Sequence, residues 1–256
     1  MDDPGAGRPA NLPPHLRLER PLGRGGSATV WVARDRRRGR WVAVKVLDPP
    51  AGPDDRSAER TGERLRRAER EARALARLGA HPGVATVRAL GVDETAAVWV
   101  VTDLVDGPTL ADRVALGRPL DAEECTRTLR SLAGALAAAH DLGVVHGDVS
   151  PANVVLGADG PVLVDFGVGG VDTSPGDRAR TPLVAAPERL RGGRATASAD
   201  VWSASATVEW ATDPAAPVTE STRRVLADCR HPLAARRPTA VEVVERLGPP
   251  GSDPEG

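Results

Sequence analysis

His146-Gly147-Asp148-Val149-Ser150-Pro151-Ala152-Asn153, followed after two apolar runs by Asp165-Phe166-Gly167, is the stretch on which the fold turns. Its polar groups alternate with Val149, Val154–Leu156 and Val162–Val164, a pattern that predicts loop-borne chemistry held between short buried strands. Upstream, Asp121 with Glu124 three positions later forms a capping-box signature, and Leu129, Leu132, Leu136 and Ala139 supply the buried stripe of a helix closed by Gly143. His146, Asp148 and Ser150 do not form a hydrolytic triad, because residues two apart in one short segment cannot set a base against a nucleophile.

Further upstream, Leu16–Leu22, Thr29–Asp35 and Trp41–Leu47 read as three antiparallel strands. Between the first two lies Gly23-Arg24-Gly25-Gly26-Ser27-Ala28-Thr29-Val30, where the absence of Cβ atoms lets backbone N–H groups approach phosphate oxygens. The third carries Val42-Ala43-Val44-Lys45, with Lys45 on the face opposite Val44. A charged helix is expected from Arg56 to Leu78. On it Glu71 lies within about 60° of Ala68, Leu75 and Leu78, which makes it the inward carboxylate and a partner for Lys45. Gly91 is read as a turn between two further strands, the second at Ala97–Thr102. Downstream, helices are expected near Asp200–Thr212, Ser221–Cys229 and Thr239–Leu247.

The chain has 256 residues, 41% apolar and 27% charged, with a formal net charge of -1, enough for one large core or two small ones. That balance gives no bulk reason to bind nucleic acid or anionic membrane, and Arg34–Arg40 reads as a solvated strand turn. Cys125 and Cys229 are too few for a disulfide framework or zinc cage and read as free thiols. With no secretory signal and no membrane-length apolar run, a cytoplasmic location is expected. Of 34 basic residues a single one, Lys45, is lysine, and Phe166 is the sole phenylalanine. Retention of one ammonium among arginines points to a need for a compact charge.

In order, the Gly-rich loop, Val42–Lys45, the helical Glu71, His146–Asn153, Asp165-Phe166-Gly167 and Ala186-Pro187-Glu188 resemble a protein kinase of the bacterial Ser/Thr type, over about Leu16 to Leu247. The resemblance implies an α+β, two-lobed fold: a small antiparallel β-sheet lobe with one helix over 15–105, and a shortened, mainly helical lobe over 106–248. Residues 1–14 and 249–256 are expected to be a disordered head and tail. It implies ATP and Mg²⁺ as cofactors and a protein substrate, with the oligomeric state open.

By the same resemblance Lys45 would hold the α- and β-phosphates and pair with Glu71, under a loop of Gly23, Gly25 and Gly26. Asn153 and Asp165 would hold Mg²⁺, and Asp148 would orient the acceptor hydroxyl and take its proton. Val30, Ala43 and Val155 would enclose the adenine, the backbone of Asp103 and Val105 would bond its edge, and Thr102 would guard the back of the pocket. Leu75, His146 and Phe166 would stack, Asp200 would anchor the His146–Asp148 backbone, and Glu188 would pair with Arg237.

Departures from the family pattern are equally specific. Gly147 stands for an arginine that reads activation-loop phosphate, Ser150 for the catalytic-loop lysine, and Ala28 for the third glycine. The 37 positions from Asp200 to Arg237 are short for the family, so helices that dock protein substrates are expected to be missing. Beside phosphoryl transfer to protein Ser/Thr hydroxyls, two readings stay open: a pseudokinase-like nucleotide-binding or scaffold module, and a small-molecule phosphotransferase.

Overall fold

A computed structural model of the chain describes residues 12–25, 28–47, 66, 69–70, 73–78, 81–92, 98–166 and 181–249. These fall into two compact units. The first takes its described residues from Met1–Gly79 and Ala85–Leu104, the second from Ala80–Val84, Val105–Gly167 and Val171–Gly256.

The first unit is a five-stranded sheet of β1 (Leu16–Gly25), β2 (Ala28–Asp35), β3 (Arg40–Leu47), β4 (Val87–Val92) and β5 (Val98–Asp103). Its spatial order is β1-β2-β3-β5-β4 and every pairing is antiparallel. Alternation decides the faces. Leu18, Trp31, Ala33, Val42, Val44, Val46, Trp99 and Val101 form one buried cluster on one side, with Leu12, Leu16 and Ala89 packed against it. Each large side chain so buried stabilises the fold by roughly 1.5–3 kcal/mol. The turn from β2 to β3 is closed by Asp35, whose Oδ1 accepts from the N–H groups of Arg37 and Arg38 at 2.9 and 3.1 Å.

Gly91 is not a turn. It lies within β4 directly opposite Trp99 of β5, and a Cβ on it would stand 2.0 Å from the indole ring. The glycine makes room for the aromatic ring across the strand pair, a close approach that looks the same in sequence as a chain reversal. Residues 73–77 are helical, as expected for the end of the charged helix, and Glu71 lies outside the described residues.

The second unit is mainly helical: α1 (Leu110–Ala115), α2 (Ala122–Asp141), β6 (Val154–Gly157), β7 (Gly160–Leu163), α3 (Pro187–Leu190), α4 (Ala197–Ala211), α5 (Glu220–Cys229) and α6 (Ala240–Leu247). Helix α2 packs on α4, α6 and β7. It opens with the expected capping box, Asp121 accepting from the Glu124 N–H and Glu124 from the Asp121 N–H, and buries Leu129, Leu132, Leu136 and Ala139. The chain leaves it through Gly143 at φ 71°. Helix α1 was not expected. Its six residues are too few for periodicity to show, although Thr109 and Asp112 form a second capping box. Arg113 of α1 grips Glu124 of α2 through two hydrogen bonds of 2.8 and 2.6 Å.

Candidate active site

Positions 146–153 of the second unit run from α2 into a single 3-10 turn at Pro151–Asn153, and their backbone is held from elsewhere. Asp200 of α4, 1% exposed, accepts from the His146 and Gly147 N–H groups, each at 2.8 Å, while its Oδ2 also lies 3.0 Å from His140 Nε2. This is the anchoring expected of Asp200. The part of His140 was not anticipated. The buried His146 ring accepts the Asp148 N–H at Nδ1 over 3.2 Å and faces the Val164 carbonyl with Nε2 at 3.0 Å, which places the ring proton on Nε2. His146 also packs against Phe166, with ring centroids 4.6 Å apart and the ring planes tilted at 55°.

Asp148 is thereby fixed in direction. The Asn153 Nδ2 amide donates to the Asp148 carbonyl at 2.8 Å and to its Oδ2 at 3.3 Å, and the Thr181 hydroxyl donates to Oδ1 at 3.1 Å. The structure so brings Asp148 and Asn153 together and adds Thr181, whose contact crosses 33 positions and leaves no local trace in sequence. Ser150 is buried at 1% exposure, and its carbonyl accepts the Asn153 N–H at 2.9 Å.

Asp165 follows β7 at φ 63°, the one non-glycine residue with positive φ among those described. This conformation costs about 1–2 kcal/mol, and aspartate is one of the residues that tolerates it. Asn153, with Nδ2 turned to Asp148, keeps its Oδ1 for another partner. Oxygen donors from one carboxylate and one carboxamide suit Mg²⁺, which takes one or two protein carboxylates and completes its shell with water and phosphate. No group of three or more acidic, His or Cys side chains forms a metal cage among the described residues.

In the first unit, strand register assembles the remaining candidates. Val30 lies opposite Lys45, Ala43 opposite Thr102, and Gly23 opposite Val30, so these five share the face away from the Val42–Val44–Val46 core. Val30, Ala43, Lys45 and Thr102 are all half-buried. Asp103 ends β5; its N–H donates to the Thr86 carbonyl at 3.0 Å, and its carboxylate receives Arg88 and, at 3.1 Å, Arg40. Gly25 ends β1, while Gly26 lies outside the described residues.

Val105 and Val155 belong to the second unit, where the segment after Asp103 runs against β6. The Leu156 N–H donates to the Pro108 carbonyl at 2.9 Å, and Thr109 bridges Val155. Gly107 permits this approach: at φ 148° a Cβ would stand 2.2 Å from the Leu156 carbonyl oxygen. The expected ion pair below α3 is also present. Arg237 donates to both Glu188 oxygens at 2.6 and 2.8 Å and stacks over Trp202. Burial pushes the Glu188 carboxyl up, but the Arg237 guanidinium, a backbone hydrogen bond and the charge of Arg191 together outweigh it and hold the group below its ordinary value.

A family model described as protein kinase domain matches residues 16–223. The chain belongs to the protein kinase family. It is 37% identical over 207 residues to the serine/threonine-protein kinase PkaA of Streptomyces coelicolor, covering 73% of this chain and 36% of that protein. To the serine/threonine-protein kinase PknK of Mycobacterium tuberculosis it is 37% identical over 212 residues, or 80% of this chain and 18% of that one. The chain thus spans about a third or less of these relatives' length. The crystal structure of the PknI kinase domain of Mycobacterium tuberculosis matches with a TM-score of 0.69 at 28% identity, covering 91% of this chain and 94% of that one. The α+β architecture expected from the resemblance, a five-stranded antiparallel sheet and a helical unit, is therefore that of a kinase domain. No helix among the described residues is long and apolar enough to cross a membrane.

Proposed function

We propose that this kinase domain transfers the γ-phosphoryl group of ATP, with Mg²⁺, to Ser or Thr hydroxyls of proteins. One observation carries the reading: Asp148 Oδ1 already receives a threonine hydroxyl at 3.1 Å, while Asn153 steadies the same carboxylate. An acceptor hydroxyl arriving at that oxygen is oriented for attack and gives up its proton to it.

The other residues divide the work. Lys45 holds the α- and β-phosphates as a compact charge and pairs with Glu71, and Gly23, Gly25 and Gly26 offer backbone N–H groups to phosphate. Val30, Ala43 and Val155 enclose the adenine, Thr102 sets the depth of the pocket, and the backbone of Asp103 and Val105 bonds the base. Asn153 and Asp165 hold Mg²⁺, which when bound supplies positive charge against the β- and γ-phosphates. Two free, buried cysteines suit a reducing, cytoplasmic setting.

Transfer from labelled ATP to a generic protein substrate tests the reading. Asp148→Asn is expected to lower it by about 10²–10⁴-fold, the usual worth of a positioned general base, with nucleotide affinity kept. Lys45→Ala is expected to weaken nucleotide binding itself, and Lys45→Arg to lower turnover, since a planar guanidinium does not replace a compact ammonium. Undiminished transfer in Asp148→Asn overturns the assignment. Nucleotide binding without transfer in the unaltered chain favours the scaffold reading, to which the loss of the catalytic-loop lysine at Ser150 points.

A further inference from the structure

Asp103 is the last residue of β5, and Arg88, Arg40 and Thr86 hold it from within the first unit. Its carboxylate takes Arg88 through both oxygens, with Nε 2.8 Å from Oδ1, and Arg40 Nη1 reaches the same Oδ1 at 3.1 Å. Its N–H donates to the Thr86 carbonyl at 3.0 Å. Arg88 occupies an irregular position. Val87 lies opposite Thr102 and Ala89 opposite Val101, so Arg88 is the extra residue of a β-bulge, a device that re-aims a side chain. Arg40 opens β3 two positions before Val42, which lies opposite Asp103. By alternation the Asp103 carboxylate shares the face of Val101, away from Ala43, Lys45 and Thr102. What Asp103 can offer a ligand on the Lys45 face is therefore its main chain.

Such a clamp fixes direction more than it adds stability. All three side chains are about a third exposed, where ion pairs contribute little to folding, but a two-pronged guanidinium sets the plane of a carboxylate. With the N–H engaged by Thr86, the main-chain group left to Asp103 is its carbonyl, an acceptor. We infer that Arg88 and Arg40 are positioning residues for base recognition: by holding Asp103 they aim its carbonyl at an exocyclic amino N–H of a purine nucleotide. The inference rests on the proposed reading in which the Asp103 backbone bonds the base. Neither arginine has to touch the nucleotide, and each acts through Asp103.

Isothermal titration of the full chain with two probes tests it: ADP, and purine riboside 5′-diphosphate, which carries hydrogen in place of the 6-amino group. The unaltered chain is expected to bind ADP about 3- to 10-fold tighter, the usual worth of one hydrogen bond. Arg88→Gln is expected to bring that ratio close to one, by weakening ADP while the affinity for the analogue is kept. Arg40→Gln should lower it less, since Arg40 gives a single contact. Arg88→Lys keeps the charge but not the fork and should retain part of the ratio. Circular dichroism reports whether each variant is folded. A merely structural role moves both affinities together, so an unchanged ratio in folded Arg88→Gln, with or without a common loss, overturns the inference alone. Should Arg88→Gln not fold, Arg88→Lys and Arg40→Gln carry the same comparison, and unchanged ratios in both overturn it. Equal binding of the two probes by the unaltered chain overturns the base contact itself and the inference with it.

Discussion

The sheet and the loop that follows α2 arrange their polar residues by different means. In the sheet, Val30, Ala43, Lys45 and Thr102 share a face because directly paired strand residues must, and their order is written with period two along each strand. Around Asp148 nothing is periodic. The His146 and Gly147 amides depend on Asp200, 54 and 53 positions away, and the carboxylate of Asp148 is met by a hydroxyl 33 positions away. A sheet distributes the task of placement over many weak backbone pairings, whereas the loop concentrates it in one buried carboxylate. The loop is therefore the part that a single substitution can disorder.

Asp200→Ala tests that contrast most severely. It strips the buried His146 N–H and the half-buried Gly147 N–H of their acceptor, at about 1–3 kcal/mol for the buried one, and should lower thermal stability and abolish phosphoryl transfer together. Asp200→Asn keeps one acceptor oxygen and should fold, with transfer still reduced. A fully active Asp200→Asn enzyme with unchanged melting would mean that the loop is as distributed in its support as the sheet.

The corresponding test of the sheet is Gly91→Ala. The added Cβ meets the Trp99 ring at 2.0 Å and must push strand or indole aside, an overpacking expected to cost about 1–3 kcal/mol. Because register is shared among four pairings, chemical denaturation should show lower stability while Lys45-dependent nucleotide binding persists in the folded fraction. Loss of nucleotide binding in a fully folded variant would show that the strands slip as a block.

A smaller effect is expected at Glu188. Its carboxyl sits below the ordinary value of 4.5 in the folded protein, so the stabilisation from Arg237 is fully present above that value and is lost as pH falls through the depressed one. Melting temperature followed over about pH 3 to 6 should drop on acidification, and Glu188→Gln should flatten the part of the slope owed to this pair. An identical slope in the variant would assign acid sensitivity elsewhere. The smallest expected signal is at the cysteines. Burial pushes the Cys229 thiol up to about 12 and raises that of Cys125, so neither should react with an alkylating reagent at neutral pH until the chain unfolds.

Legibility in the sequence followed the same divide. β1, β2 and β3 and the start of α2 could be read because alternation and the Asp121–Glu124 box are local signals. Gly91 was misread because a glycine that accommodates a ring and a glycine that reverses a chain are one symbol, and the ring belongs to the next strand. Helix α1 is shorter than two turns and gave no period. Asp148, Asn153 and Asp165 could be named from their resemblance to a family, but the inward turn of Asn153 and the contact from Thr181 depend on how distant segments fold together.

Asp200 has a consequence for how the protein opens. The two amides it receives at His146 and Gly147 bond to a side chain and not to a helix or strand ladder, so they exchange with solvent only when α4 parts from the loop. In deuterated buffer their exchange rates amount to a built-in gauge of that parting. They report how often the bed beneath Asp148 comes undone while the rest of the fold is intact.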